Sequence, residues 1–290
     1  MSTLPDLAPL PALIVESAVS AALAEDLGDA GDITSQSTVP ADRRSRVVLR
    51  AREQGCIAGL DAARAAFREM DANLQIAVQA PDGSVVAPGD VIAAIEGNAR
   101  AIVTGERVAL NFLGHLSGIA TATRKFVDAV SGTNTRICCT RKTTPGLRAF
   151  EKYAVRAGGG VNHRFGLYDA ILIKDNHIAM AGGIAEAIKG ARAKAGHMVR
   201  IEIEVDTLEQ LSQALDIGVE AVLLDNMPPK VLTEAVEINK GRAALEASGG
   251  ITLETAAAVA ATGVDYISVG WITHSAPCLD IGLDYEAAAN

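Results

Sequence analysis

The sequence predicts an α/β protein whose larger part is a (β/α) barrel, preceded by a smaller α+β region. From about residue 135 to the end, short apolar segments alternate with helical ones. This rhythm implies parallel strands joined by crossover helices. The strands are short and evenly spaced, and no GxGxxG fingerprint follows the first one, which disfavours a doubly wound nucleotide-binding sheet. About six strands are clear, so we expect the barrel to be incomplete.

The amino-terminal region is expected to combine helices with antiparallel strands. Residues 12–27 are typical of an amphipathic helix whose apolar stripe includes Leu13 and Leu23. From about residue 46 to 97 the pattern changes to short alternating strands and turns, with a helix over residues 60–70 inserted. This region shows no obvious catalytic cluster.

A long helical stretch over residues 101–130 connects the two regions. Gly114 and Gly118 interrupt its apolar pattern, so we expect two helices or a bend there. The boundary between the domains is expected within this stretch.

The composition excludes several classes of protein. The chain of 290 residues has a formal net charge of −9, which argues against a nucleic-acid or anionic-membrane surface. No apolar segment is long enough to span a membrane, and no signal peptide is visible. The four cysteines fit no common zinc spacing and are predicted to be buried free thiols, with no redox cofactor. We therefore expect a soluble cytoplasmic protein.

One short stretch runs against this acidic balance. Residues 140–177 concentrate a cluster of basic side chains and a histidine, namely Arg141, Lys142, Arg148, Lys152, Arg156, His163, Arg164 and Lys174. Such a cluster in an acidic protein indicates an anion site, and the alternative is a solvated helix face. We assign Lys152 and Arg156 to that alternative.

Polar residues and glycines fall where successive predicted strands end. Parallel barrels carry their functional residues at these carboxyl ends. The positions are Arg141, Lys142, Lys174, Glu204, Asp225, Ser248, Gly249, Gly250 and Gly270. Strand ends are polar in any protein, but six consecutive ones with cations, carboxylates and glycine turns favour a binding site.

The residue types suggest what this site binds. Gly249 and Gly250 allow backbone N–H groups to approach a phosphate at the start of the next helix. Glu204 and Asp225 suit one hard cation, most plausibly Mg²⁺. The arginines and lysines exceed what one phosphate needs, which favours a polycarboxylate as a second anion.

The stretch TRKTTPGLRAFEKYAVRAGGGVNHRFGLYDAILIKDNH closely resembles the signature region of the quinolinate phosphoribosyltransferases, the decarboxylating nicotinate-nucleotide pyrophosphorylases. The likeness extends to GERVALNFLGHLSGIAT, IEIEVD, LLDNM, ASGGIT and ISVGWITHSAP, and so covers nearly the whole chain. The resemblance implies an amino-terminal sandwich domain, which we place at residues 1–112. An incomplete barrel would follow over residues 113–290, with the tail from 275 packing back on the first domain.

The resemblance also implies an activity and a role for each site residue. The enzyme would transfer phosphoribosyl from phosphoribosyl pyrophosphate to quinolinate with loss of CO₂, giving nicotinate mononucleotide for NAD biosynthesis. It would be a homodimer, in which Arg107 reaches the partner's site. Arg141, His163, Arg164 and Lys174 would surround the two carboxylates of quinolinate. Lys142 would lie near the ring or the phosphoribosyl group, and Thr140 would also bind substrate. The phosphoribosyl pyrophosphate and Mg²⁺ site would comprise Glu204, Asp225, Ser248, Gly249, Gly250 and Gly270. Lys142, Lys174, Glu204 and Asp225 would be catalytic, while His115, Trp271 and His274 have no assigned role.

Two other activities remain open at this point. One is a phosphoribosyltransferase for nicotinate or another pyridine, although a single carboxylate would leave part of the cationic cluster unpaired. The other is a barrel phosphosugar lyase that uses the amine of Lys174 to form a Schiff base. A non-catalytic anion-binding relative is also conceivable, but it would be expected to lack Glu204 or Asp225.

Overall fold

The structure is a computed structural model that describes residues 7–285. These residues divide into two compact units. The first unit comprises the chain up to residue 124, residues 144–159, and the chain from residue 275. The second comprises residues 125–143 and 160–274. The boundary that we placed at residue 112 stays a prediction.

Helices and strands follow the predicted pattern along most of the chain. Between residues 7 and 285 the helices are α1 (Ala12–Leu27), α2 (Ile33–Thr38), α3 (Leu60–Met70), α4 (Ala99–Ala129), α5 (Arg148–Ala157), α6 (Asp175–Ala181), α7 (Ile184–Lys194), α8 (Leu208–Ile217), α9 (Pro229–Asn239), α10 (Leu253–Ala260) and α11 (Trp271–His274). The strands in the same range are β1 (Arg44–Ala51), β2 (Gly55–Cys56), β3 (Gln75–Val78), β4 (Val85–Val86), β5 (Val91–Asn98), β6 (Arg136–Cys138), β7 (Ile171–Ile173), β8 (Ile201–Val205), β9 (Ala221–Asp225), β10 (Ala244–Ser248), β11 (Tyr266–Ser268) and β12 (Ile281–Tyr285).

The first unit is built on an antiparallel sheet in the order β12-β1-β5-β3. The last strand, β12, pairs with β1 from Val47 opposite Tyr285 to Ala51 opposite Ile281. Helix α1 packs against α3 and buries Val15, Val19 and Leu23, which lie four residues apart on one face. The stripe predicted for α1 is therefore wrong at Leu13, whose side chain is exposed.

Helix α4 runs without a break through both of its central glycines, so the predicted division into two helices is wrong. The glycines are explained by packing within the first unit. A Cβ at Gly118 would lie 2.0 Å from the carbonyl oxygen of Pro277, and one at Gly114 would lie 3.1 Å from that of Leu279. The absence of side chains at these positions lets the segment before β12 lie directly on the helix.

Helix α5 is far more buried than its charged sequence suggests. Lys152 and Glu151 are both 0% exposed, so the prediction that Lys152 belongs to a solvated helix face is wrong. Arg156 is half-buried. Glu151 accepts hydrogen bonds from His115 Nε2, at 2.9 Å, and from the backbone N–H of Thr144, at 3.1 Å. These bonds supply the partners that a buried carboxylate requires.

The second unit contains the predicted parallel strands. Among the described residues, six strands form one sheet in the order β6-β11-β10-β9-β8-β7, and every pair is parallel. Strands β6 and β7 are the two ends of this sheet and are not paired with each other, so the barrel is incomplete, as predicted. From β7 to β11, the helices between consecutive strands are the crossover connections that parallel strands need.

Two smaller predictions can also be compared with the structure. Cys56, Cys138 and Cys139 are buried, as predicted, whereas Cys278 is exposed, so the prediction of burial is wrong there. No helix in the described part of the chain is long and apolar enough to cross a membrane.

Candidate active site

A cavity of about 750 Å³ lies at the carboxyl ends of the parallel strands. Twelve of the predicted site residues line it: Thr140, Arg141, Lys142, His163, Arg164, Lys174, Glu204, Asp225, Ser248, Gly249, Gly250 and Gly270. His163 and Arg164 come from the loop between α5 and β7, and the others come from the six strands or from the loops that follow them. The convergence arises because parallel strands all end at the same edge of a sheet.

Strand alternation decides which side chains face the barrel interior. In β8, Ile201, Ile203 and Val205 are buried on the outer face, while Glu202 and Glu204 lie between them and contact the interior cavities. The same alternation in β10 places Glu246 below Ser248.

The cationic side of the cavity is formed by Arg141 and Arg164. The Nε atoms of both side chains are buried and have no hydrogen-bond acceptor among residues 7–285. Burial and the neighbouring charge of Arg141 lower the pKa of Arg164, and the carboxylates of Asp169 and Glu202 oppose this shift. The two guanidinium groups thus lie close together with N–H donors that lack acceptors. An anion with several acceptor oxygens would suit this side of the cavity.

The loop that carries Arg164 is held by its own hydrogen bonds. Asp169 accepts from the backbone N–H groups of Phe165 and Gly166, at 2.7 and 2.8 Å. Arg164 Nη1 donates to the carbonyl oxygen of Ala170 at 3.0 Å. This bond holds the guanidinium against the loop.

The acidic side of the cavity is formed by Glu204 and Asp225, which end the neighbouring strands β8 and β9. Lys174 Nζ forms an ion pair with Glu204 Oε2. Asp225 accepts a hydrogen bond from the side-chain amide of Asn226 at 2.6 Å. Carboxylate oxygens are the ligands that Mg²⁺ prefers, so this donor set fits one such ion shared with a substrate and water.

The turn after β10 has the geometry of a phosphate-binding turn. Gly249 and Gly250 have φ values of +96° and +61°, and a Cβ at Gly249 would lie 2.1 Å from the side-chain oxygen of Asn226. Only glycine fits that position without displacing Asn226. Thr252 then caps α10 in a capping box with Thr255, so the turn leads into a helix amino terminus.

The side chain of Lys142 lies on the cavity wall, close to Gly270. A Cβ at Gly270 would lie 2.8 Å from Lys142 Cδ, so the glycine leaves room for the lysine stem. The backbone of Lys142 is fixed on both sides, because its N–H donates to Thr140 Oγ1 at 3.0 Å and its carbonyl accepts from the Thr273 hydroxyl at 2.7 Å.

One predicted site residue lies elsewhere. Arg107 belongs to α4 in the first unit and is exposed. Trp271 and His274, to which the sequence assigned no role, line the cavity, and the Trp271 ring lies 6.5 Å from that of Phe126. His115, also unassigned, lies in the first unit and bonds Glu151.

Sequence reasoning missed other cavity residues. Asn226, Glu246 and Ser268 line the cavity, and Glu202 lies beneath it. The period-two alternation of IEIEV and ALEAS could have identified the two glutamates. It places Glu202 on the same face as Glu204, and Glu246 on the same face as Ser248.

The fold and the cavity together define an α/β-barrel enzyme that acts on small anionic molecules. Two family models match the chain: the amino-terminal domain of quinolinate phosphoribosyl transferase over residues 32–117, and the carboxyl-terminal domain over residues 119–284. The chain belongs to the quinolinate phosphoribosyltransferase family.

Individual relatives are similar over almost their full length. The probable nicotinate-nucleotide pyrophosphorylase (carboxylating) of Bacillus subtilis is 49% identical over 90% of this chain and 89% of its own. The nicotinate-nucleotide pyrophosphorylase (carboxylating) of Mycobacterium leprae is 47% identical over 91% and 94%. The solved structure of the Francisella tularensis nicotinate-nucleotide pyrophosphorylase superposes with a TM-score of 0.91, at 42% identity over 96% of this chain and 98% of that one.

Proposed function

We propose that this protein transfers the phosphoribosyl group of phosphoribosyl pyrophosphate to quinolinate, with release of pyrophosphate and CO₂. The product is nicotinate mononucleotide, a precursor of NAD. The observation that carries the proposal is the composition of the cavity. One side presents two arginines with buried unsatisfied donors, and the other presents two carboxylates beside a glycine turn.

The cationic side suits the two carboxylates of quinolinate. Arg141 and Arg164 each offer several N–H donors in a planar arrangement that matches a carboxylate. Lys142, which follows β6, and Lys174, which follows β7, add point charges to the cavity, and Thr140 adds a hydroxyl. A ligand with two adjacent carboxylates neutralises this cluster better than a monocarboxylate does, because buried cations without partners are costly.

The glycine turn suits the 5′-phosphate of the second substrate. Ser248, Gly249 and Gly250 offer a hydroxyl and backbone N–H groups at the start of α10, and Gly270 ends the next strand. Glu204 and Asp225 would hold Mg²⁺ together with ribose and pyrophosphate oxygens, and the ion would offset negative charge on the leaving group.

The reaction needs positioning and charge stabilisation more than a covalent nucleophile. The ring nitrogen of quinolinate attacks C1 of the ribose as the bond to pyrophosphate breaks, and positive charge develops on the ribose. Lys142 and Lys174 stabilise charge on the departing pyrophosphate. Ribosylation makes the ring nitrogen cationic, so the carbanion left at C2 by departing CO₂ is stabilised, and proton uptake at C2 completes the reaction.

The test is an assay with phosphoribosyl pyrophosphate, Mg²⁺ and either quinolinate or nicotinate. We expect CO₂ and pyrophosphate to appear in equal amounts from quinolinate, and little pyrophosphate from nicotinate. Equal turnover of nicotinate, or pyrophosphate without CO₂ from quinolinate, would contradict the proposal.

An Arg141→Gln variant should lose turnover of quinolinate by roughly tenfold or more, since it removes charge-assisted hydrogen bonds.

The same assay separates the lyase alternative. A Schiff base on Lys174 would be trapped by borohydride in the presence of a carbonyl substrate. Strict dependence of product formation on phosphoribosyl pyrophosphate excludes that mechanism.

We further propose that the protein is a homodimer in which Arg107 acts at the partner's cavity. The support is that Arg107 is exposed on α4, in a unit that does not line the cavity, with the exposed apolar side chain of Val103 one turn before it. An arginine beside an exposed apolar residue is typical of interfaces.

The cytoplasmic location stays a prediction.

A further inference from the structure

A polar cluster lies inside the barrel, directly below the cavity. His163 Nε2 lies 2.9 Å from Glu202 Oε2 and 3.9 Å from Glu246 Oε1. The His163 and Glu202 side chains are 12% and 13% exposed, and Glu246 is buried. His163 and Glu246 belong both to this cluster and to the cavity wall, so the state of His163 links the two.

Hydrogen bonds fix which ring nitrogen of His163 carries the proton. The backbone N–H of Arg164 points at Nδ1 over 2.8 Å. A backbone N–H can only donate, so Nδ1 must be an unprotonated acceptor. Nε2 then carries the ring proton and donates it to Glu202. This arrangement describes a neutral imidazole with both nitrogens engaged by the protein.

The same geometry argues against a metal at this cluster. The ligand-type atoms of His163, Glu202 and Glu246 lie within 4.8 Å of one another, a spacing that a metal ion could use. Binding of an ion at Nε2 would displace its proton while Nδ1 still faces an N–H donor. The ring would have to become an imidazolate anion, so the cluster is better suited to a hydrogen bond.

We propose that Glu202 holds His163 as a neutral imidazole with its proton on Nε2, and that both act as positioning residues for Arg164. In this arrangement His163 belongs to the cavity wall but does not supply positive charge to the substrate carboxylates. The ring anchors the backbone at residue 164. The adjacent guanidinium, beside the like charge of Arg141, is thereby kept at the cavity wall.

The consequence for substrates rests on the proposed function. Loss of the Glu202 acceptor should disturb the half of the cavity that faces quinolinate. Glu202→Ala is expected to raise KM for quinolinate by roughly tenfold, the cost of one hydrogen bond to a charged group, with KM for phosphoribosyl pyrophosphate changed little. Glu202→Gln keeps a carbonyl acceptor and should remain within about threefold of the unsubstituted protein. Glu209→Gln, at an exposed position on α8, is the control.

The decisive measurement does not depend on activity. Long-range proton–nitrogen NMR spectra of protein with labelled histidine distinguish a neutral tautomer, with one pyridine-like and one pyrrole-like nitrogen, from an imidazolium with two similar nitrogens. The chain has five histidines, and the spectrum of a His163→Gln variant assigns the signal. We expect the pyrrole-like nitrogen to be Nε2 at neutral pH.

Each result has a separate meaning. An imidazolium signal, or a proton on Nδ1, would overturn the proposal even if the enzyme uses quinolinate. Loss of activity in Glu202→Gln, with full activity in Glu209→Gln, would also overturn the proposal. That result would show that residue 202 must carry a negative charge, and that a hydrogen-bond acceptor is not enough. Failure to turn over quinolinate would contradict the proposed function, while the tautomer measurement would still test the role of Glu202.

Discussion

Arg141 and Arg164 show how a single cavity wall can select for an anion. Burial and the neighbouring charge of Arg141 lower the pKa of Arg164, so the two guanidinium groups are unfavourable neighbours unless something offsets their charge. Asp169 and Glu202 offset part of it, but the buried Nε donors still have no acceptor in residues 7–285. Under the proposed function, a bound dicarboxylate would offset this unfavourable arrangement and so contribute to binding.

Asp82 leads to a prediction about pH. Its carboxyl group accepts from Tyr153 Oη at 2.7 Å and from the backbone N–H groups of Gly59 and Leu60, at the start of α3. Burial nevertheless raises the pKa of Asp82 above its ordinary value of 3.8. The folded state therefore binds this proton more tightly than the unfolded state does. The contribution of Asp82 to stability is present below pH 3.8 and falls as pH rises towards the folded-state pKa.

The measurement is the free energy of unfolding in urea across acidic pH for the unsubstituted protein and Asp82→Asn. The stability of the unsubstituted protein relative to the variant should fall with rising pH above 3.8 and then become constant. Tyr153→Phe is the companion variant, because it removes one hydrogen bond and leaves the ionisable group. A difference that increases with pH would show that the hydrogen bonds outweigh burial at this site.

Individual residues were predictable from the sequence where strand position decides their role. Lys174, Glu204 and Asp225 end predicted strands, and that alone brought them to one cavity. Lys152 was not predictable, since its spacing from Arg148 and Arg156 is that of a charged helix face. Burial of α5 depends on tertiary packing, which overrides a local charge pattern.

At the scale of elements, the alternation of apolar segments located every parallel strand of the second unit. Strands β8 to β10 are largely buried, so their sequences include short apolar runs that stand out against the helices. Once the strands were located, the site could be placed at their carboxyl ends, as in other parallel barrels. The glycines of α4 were less informative, because a glycine that breaks a helix and one that admits a neighbour have the same sequence pattern.

The close approach at α4 gives the second prediction. Gly118→Ala places a methyl group against the backbone of Pro277, which is not the end of a flexible side chain and cannot move aside easily. We expect a loss of about 1–3 kcal/mol in the free energy of unfolding, the usual cost of overpacking. Far-UV circular dichroism in urea measures it.

A matched control is available in α7. Gly190 also lies within a helix, but a Cβ there would meet nothing within 4 Å. Gly190→Ala should therefore be neutral or stabilising by about 0.5–1 kcal/mol, because alanine is the better helix former. Similar effects of the two substitutions would show that helix propensity, and not the contact with Pro277, decides the outcome at Gly118.

At the scale of the whole molecule, the chain leaves and re-enters the first unit. Residues 144–159 and the chain from residue 275 both belong to it, although residues between them belong to the second unit. Pairing of β12 with β1 joins residues more than 200 positions apart. Composition and periodicity are local properties, so neither indicates with which distant segment a short strand pairs.

The proposed dimer gives the last prediction, and it needs two inactive variants. Arg107→Ala removes the residue proposed to act at the partner's cavity, and Lys142→Ala removes one from the chain's own cavity. In a mixed dimer, the cavity of the Arg107→Ala chain keeps Lys142 and receives an intact Arg107 from the other chain. The second cavity lacks both residues. One site in each mixed dimer should therefore be active.

Mixing the two variants in equal amounts, with subunit exchange, should restore roughly one quarter of the unsubstituted activity, since half of the dimers are mixed and each has one working site. Each variant carried alone through the same exchange procedure is the control and should stay inactive. If Arg107 acted only within its own chain, every cavity in the mixture would lack one of the two residues, and no activity would return. Each variant carries a different affinity tag, and purification on both tags in succession isolates the mixed dimers, so that absence of recovery is not mistaken for absence of exchange.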